Sequence, residues 1–109
     1  MHGHQITFFT QQDRLKDQLP VAQWLLASAQ HLNIRGATVV GALQGIGHDG
    51  TLHATNLFDM GDQPVQVTIV VSDDEEKRLF AYLLREKVQL FYVKTAVEFG
   101  MLGKEEQPL

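Results

Sequence analysis

The sequence predicts an α+β domain, a ferredoxin-like β-α-β-β-α-β sandwich with an antiparallel sheet in strand order 4-1-3-2 and two helices on one face. Three observations predict it. Two stretches repeat apolar residues at helical spacing, and each is flanked by β-branched or aromatic runs. The β-α-β order occurs twice. Two right-handed crossovers then set the strand order and bring both helices to the same face. With 109 residues the chain has enough material for one hydrophobic core and too little for a second. Residues 1–102 are expected to form the domain and residues 103–109 a flexible C-terminal tail.

The first strand is expected at His4 to Thr10, which is rich in β-branched and aromatic residues, with a polar loop from Gln11 to Asp17 after it. Val21, Trp24, Leu25, Ser28, Ala29 and Leu32 then recur at helical spacing, with Pro20 at the start, where its missing N–H is harmless. Asn33-Ile34-Arg35-Gly36 makes the turn out of this helix, and Ala37 to Leu43 is the second strand. Val65, Val67, Ile69 and Val71 alternate with Gln66, Thr68 and Val70 to give the third strand. Ser72-Asp73-Asp74-Glu75 reads as a capping box that opens the second helix, whose buried stripe is expected to be Leu79, Phe80, Leu83 and Leu84. In the last strand, Leu90 to Phe99, the residues Phe91, Val93, Val97 and Phe99 share a face. The sheet face without helices is expected to display Phe9, Val40, Val70, Tyr92 and Ala96, an apolar patch that suits subunit contact.

Composition removes several classes of function. The net charge is −4 and the nine Lys and Arg are scattered, so no basic surface is available to neutralise phosphates along a nucleic acid. No cysteine is present, which excludes disulfides, thiolate metal sites and thiol catalysis. No apolar run approaches the roughly 18 residues of a membrane span, and Met1-His2-Gly3-His4 does not resemble a secretion signal. A cytoplasmic protein without membrane insertion is the expectation. The two serines, Ser28 on a helix and Ser72 at a cap, have no His and carboxylate arranged beside them, so no catalytic residue is assigned.

The segment Gly45 to Asn56 is the candidate functional loop. Gly45, Gly47 and Gly50 lie within six residues, and glycines let backbone N–H groups approach an anion, although they mark plain turns equally well. His48 and His53 on the loop, and His2 and His4 near the N-terminus, supply imidazoles that with Asp49 could bind a transition metal, but the loop offers no second shell to fix their geometry. Gln44-Gly45-Ile46-Gly47 looks like the phosphate loop of acylphosphatases. That family places the loop after the first strand and follows it with an arginine, whereas here it follows the second strand and leads into His48 and Asp49.

Gly36-Ala37-Thr38-Val39, then Gly45-Ile46-Gly47 and Gly50, then the Val-rich run Val65 to Val71 ending at Ser72-Asp73-Asp74-Glu75, resemble the PII-like signalling proteins (nitrogen regulatory protein PII-like). With Leu52-His53-Ala54-Thr55 and Pro64-Val65 added, the pattern is similar to an uncharacterised PII-like branch, a domain of unknown function. The resemblance covers His4 to about Glu98. It implies a regulatory homotrimer, not an enzyme, that holds a small effector, commonly an adenine nucleotide, between subunits and acts on a protein partner such as a membrane transporter or an enzyme. Carried onto this chain, Thr38 lies beside the base, and Gly45 and Gly47 approach the phosphates. Arg35, His48 and Gly50 complete the effector set, while His53, Thr55 and Asn56 belong to the partner loop. The trimeric cation-tolerance proteins share this architecture and supply the alternative, a metal-binding trimer that uses His48 and His53.

The chain departs from the classical pattern where charge matters. The Thr-Gly-x-x-Gly-x-Gly loop before the last strand is replaced by Arg85-Glu86-Lys87-Val88-Gln89, the arginine after the glycine turn by His48, and basic residues near the end of the last strand by Phe99 and Met101. An arginine that the closer branch often carries before its glycine turn is absent at Gly41 and Ala42, and the central loop is short and lacks a modifiable tyrosine. Arg35, Lys94 and Lys104 are the scattered cations left to offset phosphate charge, which favours a ligand such as a nucleoside monophosphate over a triphosphate.

Overall fold

Alternation of valines with polar residues builds the centre of the sheet. In a computed structural model, which describes residues 1–34, 36–41, 44–46, 52–54 and 64–103, β1 spans His2–Gln11, β4 Ala37–Gly41, β7 Pro64–Ser72 and β8 Phe91–Glu98. Their order is β4-β7-β1-β8 with antiparallel neighbours, which in chain order is the expected 4-1-3-2. Val65, Val67, Ile69 and Val71 are at most 3% exposed, and each is followed by a half-buried residue on the opposite face. Ile6 and Phe8 of β1 join them under both helices, α1 (Val21–His31) and α2 (Asp73–Arg85). No helix among the described residues is long and apolar enough to cross a membrane.

Local chemistry fixes the helix ends. Pro20, at φ −53° and ψ 137°, stands immediately before α1, where no N–H is required of it. At the other end Asn33 takes the left-handed conformation (φ 60°). The Ile34 N–H donates to the Ala29 carbonyl at 2.8 Å and the Asn33 N–H to that of Gln30 at 3.1 Å, a Schellman closure whose apolar residue, Ile34, is buried. Gly36 at φ 106° then redirects the chain into β4. The capping box of α2 forms as expected, with the Glu75 N–H donating to Ser72 Oγ (3.2 Å) and the Ser72 N–H to Glu75 Oε1 (2.9 Å). Trp24 of α1 stacks on Tyr82 of α2, the ring centroids 5.8 Å apart, and Arg78 donates to the Leu32 carbonyl at the end of α1.

Several sequence expectations need correction. The polar stretch after β1 is not a simple loop: Leu15–Lys16 (β2) and Leu19–Pro20 (β3) form a small hairpin around Asp17 and Gln18, whose φ angles are 52° and 68°. Two successive positive φ values define the type I′ turn that matches strand twist, here without the usual glycine. Replacing Gln18 with glycine is therefore expected to raise stability by about 1 kcal/mol by removing the side-chain clash of the left-handed conformation. Calorimetry should show a gain of several degrees in Tm, and an unchanged or lower Tm would reject the strain.

Leu84 is 78% exposed instead of buried, because it lies about 140° around the helix from Leu79, off the stripe made by Leu79 and Leu83. Tyr92 and Ala96 do not belong to the helix-free face. Tyr92 pairs across the sheet with Phe8 and packs against Phe80 of α2 at a centroid distance of 5.1 Å, and Ala96 pairs with His4 on the same side. Phe91, Val93 and Val97 therefore join Phe9 and Val70 on the helix-free face, where Phe9 and Phe91 lie 5.7 Å apart. The shift by one residue inverts β8, which a single-edge strand with apolar residues at both parities permits. The side chain of Val40 and residues 104–109 of the expected tail fall outside the described residues.

Candidate functional site

Strand order places β4 at the edge of the sheet, paired only with β7 among the described strands. Thr38 is exposed on this edge strand and aligns with Thr68, which in turn aligns with Thr7 and, on β8, Val93. The row on the helix-free face thus carries three hydroxyls, with Thr7 Oγ1 and Thr68 Oγ1 3.2 Å apart. From Gly41, opposite Val65, the chain leaves the sheet and returns at Pro64.

Within that excursion, Gln44–Ile46 (β5) and Leu52–Ala54 (β6) pair as an antiparallel hairpin, with Gly45 opposite His53 and Ile46 opposite Leu52. Gln44–Ile46 and Leu52–Ala54 thus form a two-stranded ribbon separate from the main sheet, between β4 and β7 in chain order. Of the residues selected from the sequence, Thr38 stands at the base, and Gly45 and His53 face each other across the ribbon backbone. Arg35, Gly47, His48, Gly50, Thr55 and Asn56 lie outside the described residues.

Lys94, counted from sequence among the cations near the ligand, is committed elsewhere. It projects to the helix side and donates to Glu76 Oε2 at 2.8 Å. That hydrogen bond, and then the attraction of the same carboxylate's charge, holds the Lys94 ammonium above its ordinary range, so it stays charged throughout the neutral region. Sequence reasoning counted His4 among the imidazoles able to bind a metal but did not connect it with Glu76 and Asp73, beside which it lies. The strand period could have found it, since His4 shares its parity with the core residues Ile6 and Phe8.

A four-stranded antiparallel sheet in this order, covered on one face by two helices, is the ferredoxin-like sandwich, a fold that PII-like signalling proteins have. The DUF190 family model, described as an uncharacterised ACR, matches residues 3–95, and the chain belongs to this family. A PII-like signaling protein from Thermus thermophilus has the same fold at 16% identity, with a TM-score of 0.64 over 88% of this chain and 87% of that one. CPII, a nitrogen regulatory PII-like protein from Thiomonas intermedia solved with ADP, AMP and bicarbonate, is 14% identical, with a TM-score of 0.67 over 93% and 91% of the two chains. The same CPII bound to ADP and bicarbonate gives a TM-score of 0.62 at 16% identity, over 93% and 91%. No curated protein matches the chain.

Proposed function

We propose that this chain is a PII-like regulatory protein, and not an enzyme, that binds a small effector at the clefts between subunits of a homotrimer. The effector class we favour is an adenine nucleotide, and the 45–56 segment carries the signal to a protein partner. The observation that supports this reading above others is the fold shared with CPII, a protein solved with ADP, AMP and bicarbonate, over 93% of this chain. An exposed threonine at the base of a glycine-bearing ribbon fits a ligand that needs one hydroxyl beside its base and backbone N–H groups near its phosphate. In this reading Thr38, Gly45, Gly47, His48, Gly50 and Arg35 bind the effector, and His53, Thr55 and Asn56 meet the partner.

Ser28 Oγ donates to the Trp24 carbonyl at 2.8 Å within α1, and Ser72 caps α2, so both serines of the chain are engaged in holding helices. The engagement of Lys94 by Glu76 also removes one of three cations that could offset a triphosphate, which strengthens the preference for AMP or ADP over ATP.

Thermal unfolding with AMP, ADP, ATP and bicarbonate tests this directly. A nucleotide present at about 100 times its dissociation constant stabilises the native state by about 2.7 kcal/mol, roughly 10 °C in Tm for a chain of this size. AMP or ADP should give that shift, ATP a smaller one, and Thr38→Ala should reduce it. Absence of a shift with every nucleotide would sink the proposed effector class.

A further inference from the structure

Three groups able to ligate a metal converge away from the 45–56 segment, where β1 passes the first turn of α2. Pairing of His4 with Val71 sets the start of β1 beside the end of β7, and α2 begins two residues later at Asp73. Asp73 and Glu76, three apart on a helix, then share the face that looks towards His4. His4 Nδ1 lies 2.7 Å from Glu76 Oε1 and 3.8 Å from Asp73 Oδ1, and the ligand atoms of the three residues all fall within 4.8 Å of one another.

A second observation separates this cluster from an ordinary group of acids at a helix start. His4 Nδ1 and Glu76 Oε1 are both shut off from water, and neither has a hydrogen-bond partner although they nearly touch. Buried polar atoms left in this way are costly and uncommon. A metal ion accepts lone pairs from both atoms at once, at about 2.0–2.1 Å from each. Lys94 occupies the other oxygen of Glu76 and leaves Oε1 for the ion. Asp73 is exposed, which opens the cluster to solvent on that side for entry of an ion and for water ligands.

We propose that His4, Asp73 and Glu76 form a binding site for a divalent first-row transition metal ion of the zinc or cobalt class. One imidazole nitrogen and two carboxylate oxygens suit these borderline ions and disfavour calcium and magnesium, which take oxygen ligands. The ammonium of Lys94 repels the ion across Glu76 and limits its affinity. The site shares no residue with the proposed effector set, so either assignment stands if the other fails.

Tag-free, metal-stripped protein titrated with Zn²⁺ by calorimetry and with Co²⁺ by visible absorption tests the site. One ion per chain is expected to bind, with cobalt d–d bands of a four- or five-coordinate site. His4→Ala and Glu76→Gln should each weaken binding by at least about 10–100-fold, while Lys94→Met should strengthen it roughly tenfold by removing the competing charge. The double variant His48→Ala, His53→Ala should bind as the parent does. Circular dichroism checks that each variant folds. If His4→Ala does not fold, a zinc-dependent shift of the His4 Nδ1 resonance in the parent reads the same contact. No ion bound at 1 mM Zn²⁺, a His4 resonance that does not move, or binding lost only in the loop variant would overturn the assignment.

Discussion

Truncating Phe8 to alanine is expected to cost about 3–5 kcal/mol, whereas removing its neighbour Phe9 should leave the folded chain largely intact. Phe8 is 1% exposed and lies between Phe80 and Tyr92, at centroid distances of 6.3 and 6.2 Å, so its loss opens a cavity beneath α2 that the sheet cannot close. Phe9 points to the other face and touches Phe91, an aromatic pair worth about 0.5–1.5 kcal/mol. Urea unfolding should therefore separate the two variants clearly. The proposed trimer adds a second signature. Phe9→Asp should convert it to monomer in light scattering and make the stability loss depend on protein concentration, while the loss in Phe8→Ala should not depend on it. Equal losses in the two variants at all concentrations would reject the assignment of faces.

Gly3→Ala should be nearly as damaging, despite adding only one methyl group. Gly3 lies on the central strand, opposite Ser72 of β7 and Val97 of β8. A Cβ at this position would stand 2.0 Å from the Val71 carbonyl oxygen, 2.9 Å from its carbon and 3.0 Å from the Phe99 ring. The obstacle is backbone, which cannot swing aside as a side chain can, so β1 and β7 must separate locally. A destabilisation of about 3 kcal/mol is expected, roughly 12 °C or more in Tm. Gly100→Ala is the control, because a Cβ there meets nothing within 4 Å, and it should fall within about 0.5 kcal/mol of the parent. A Gly3→Ala variant melting within a few degrees of that control would contradict the close approach.

Part of the fold is legible in the amino-acid sequence. The valine alternation of β7, the Ser72 capping box and the strand order were legible because each depends on a short-range pattern or on a chirality rule that admits few alternatives. The turn at Asp17 and Gln18 was not, because neither residue announces a positive φ as glycine would. The orientation of β8 was hidden for another reason. Phe91 and Tyr92 are both aromatic and Val93 and Ala96 both apolar, so either register buries a plausible face, and only the partners Phe8 and Phe80 decide between them.

The candidate site divides in the same way. By itself the sequence determined the composition of the effector segment: which glycines, histidines and threonine it holds, and how few cations accompany them. That follows from residue types and order alone. Only the tertiary structure decided which of those charges are free to act and which distant residues meet. Lys94 is drawn to Glu76 across 18 positions of sequence, and His4 reaches the first turn of α2 because two antiparallel strands lie side by side. Contacts between residues so far apart depend on strand register and helix phase together, and neither leaves a local pattern in the chain.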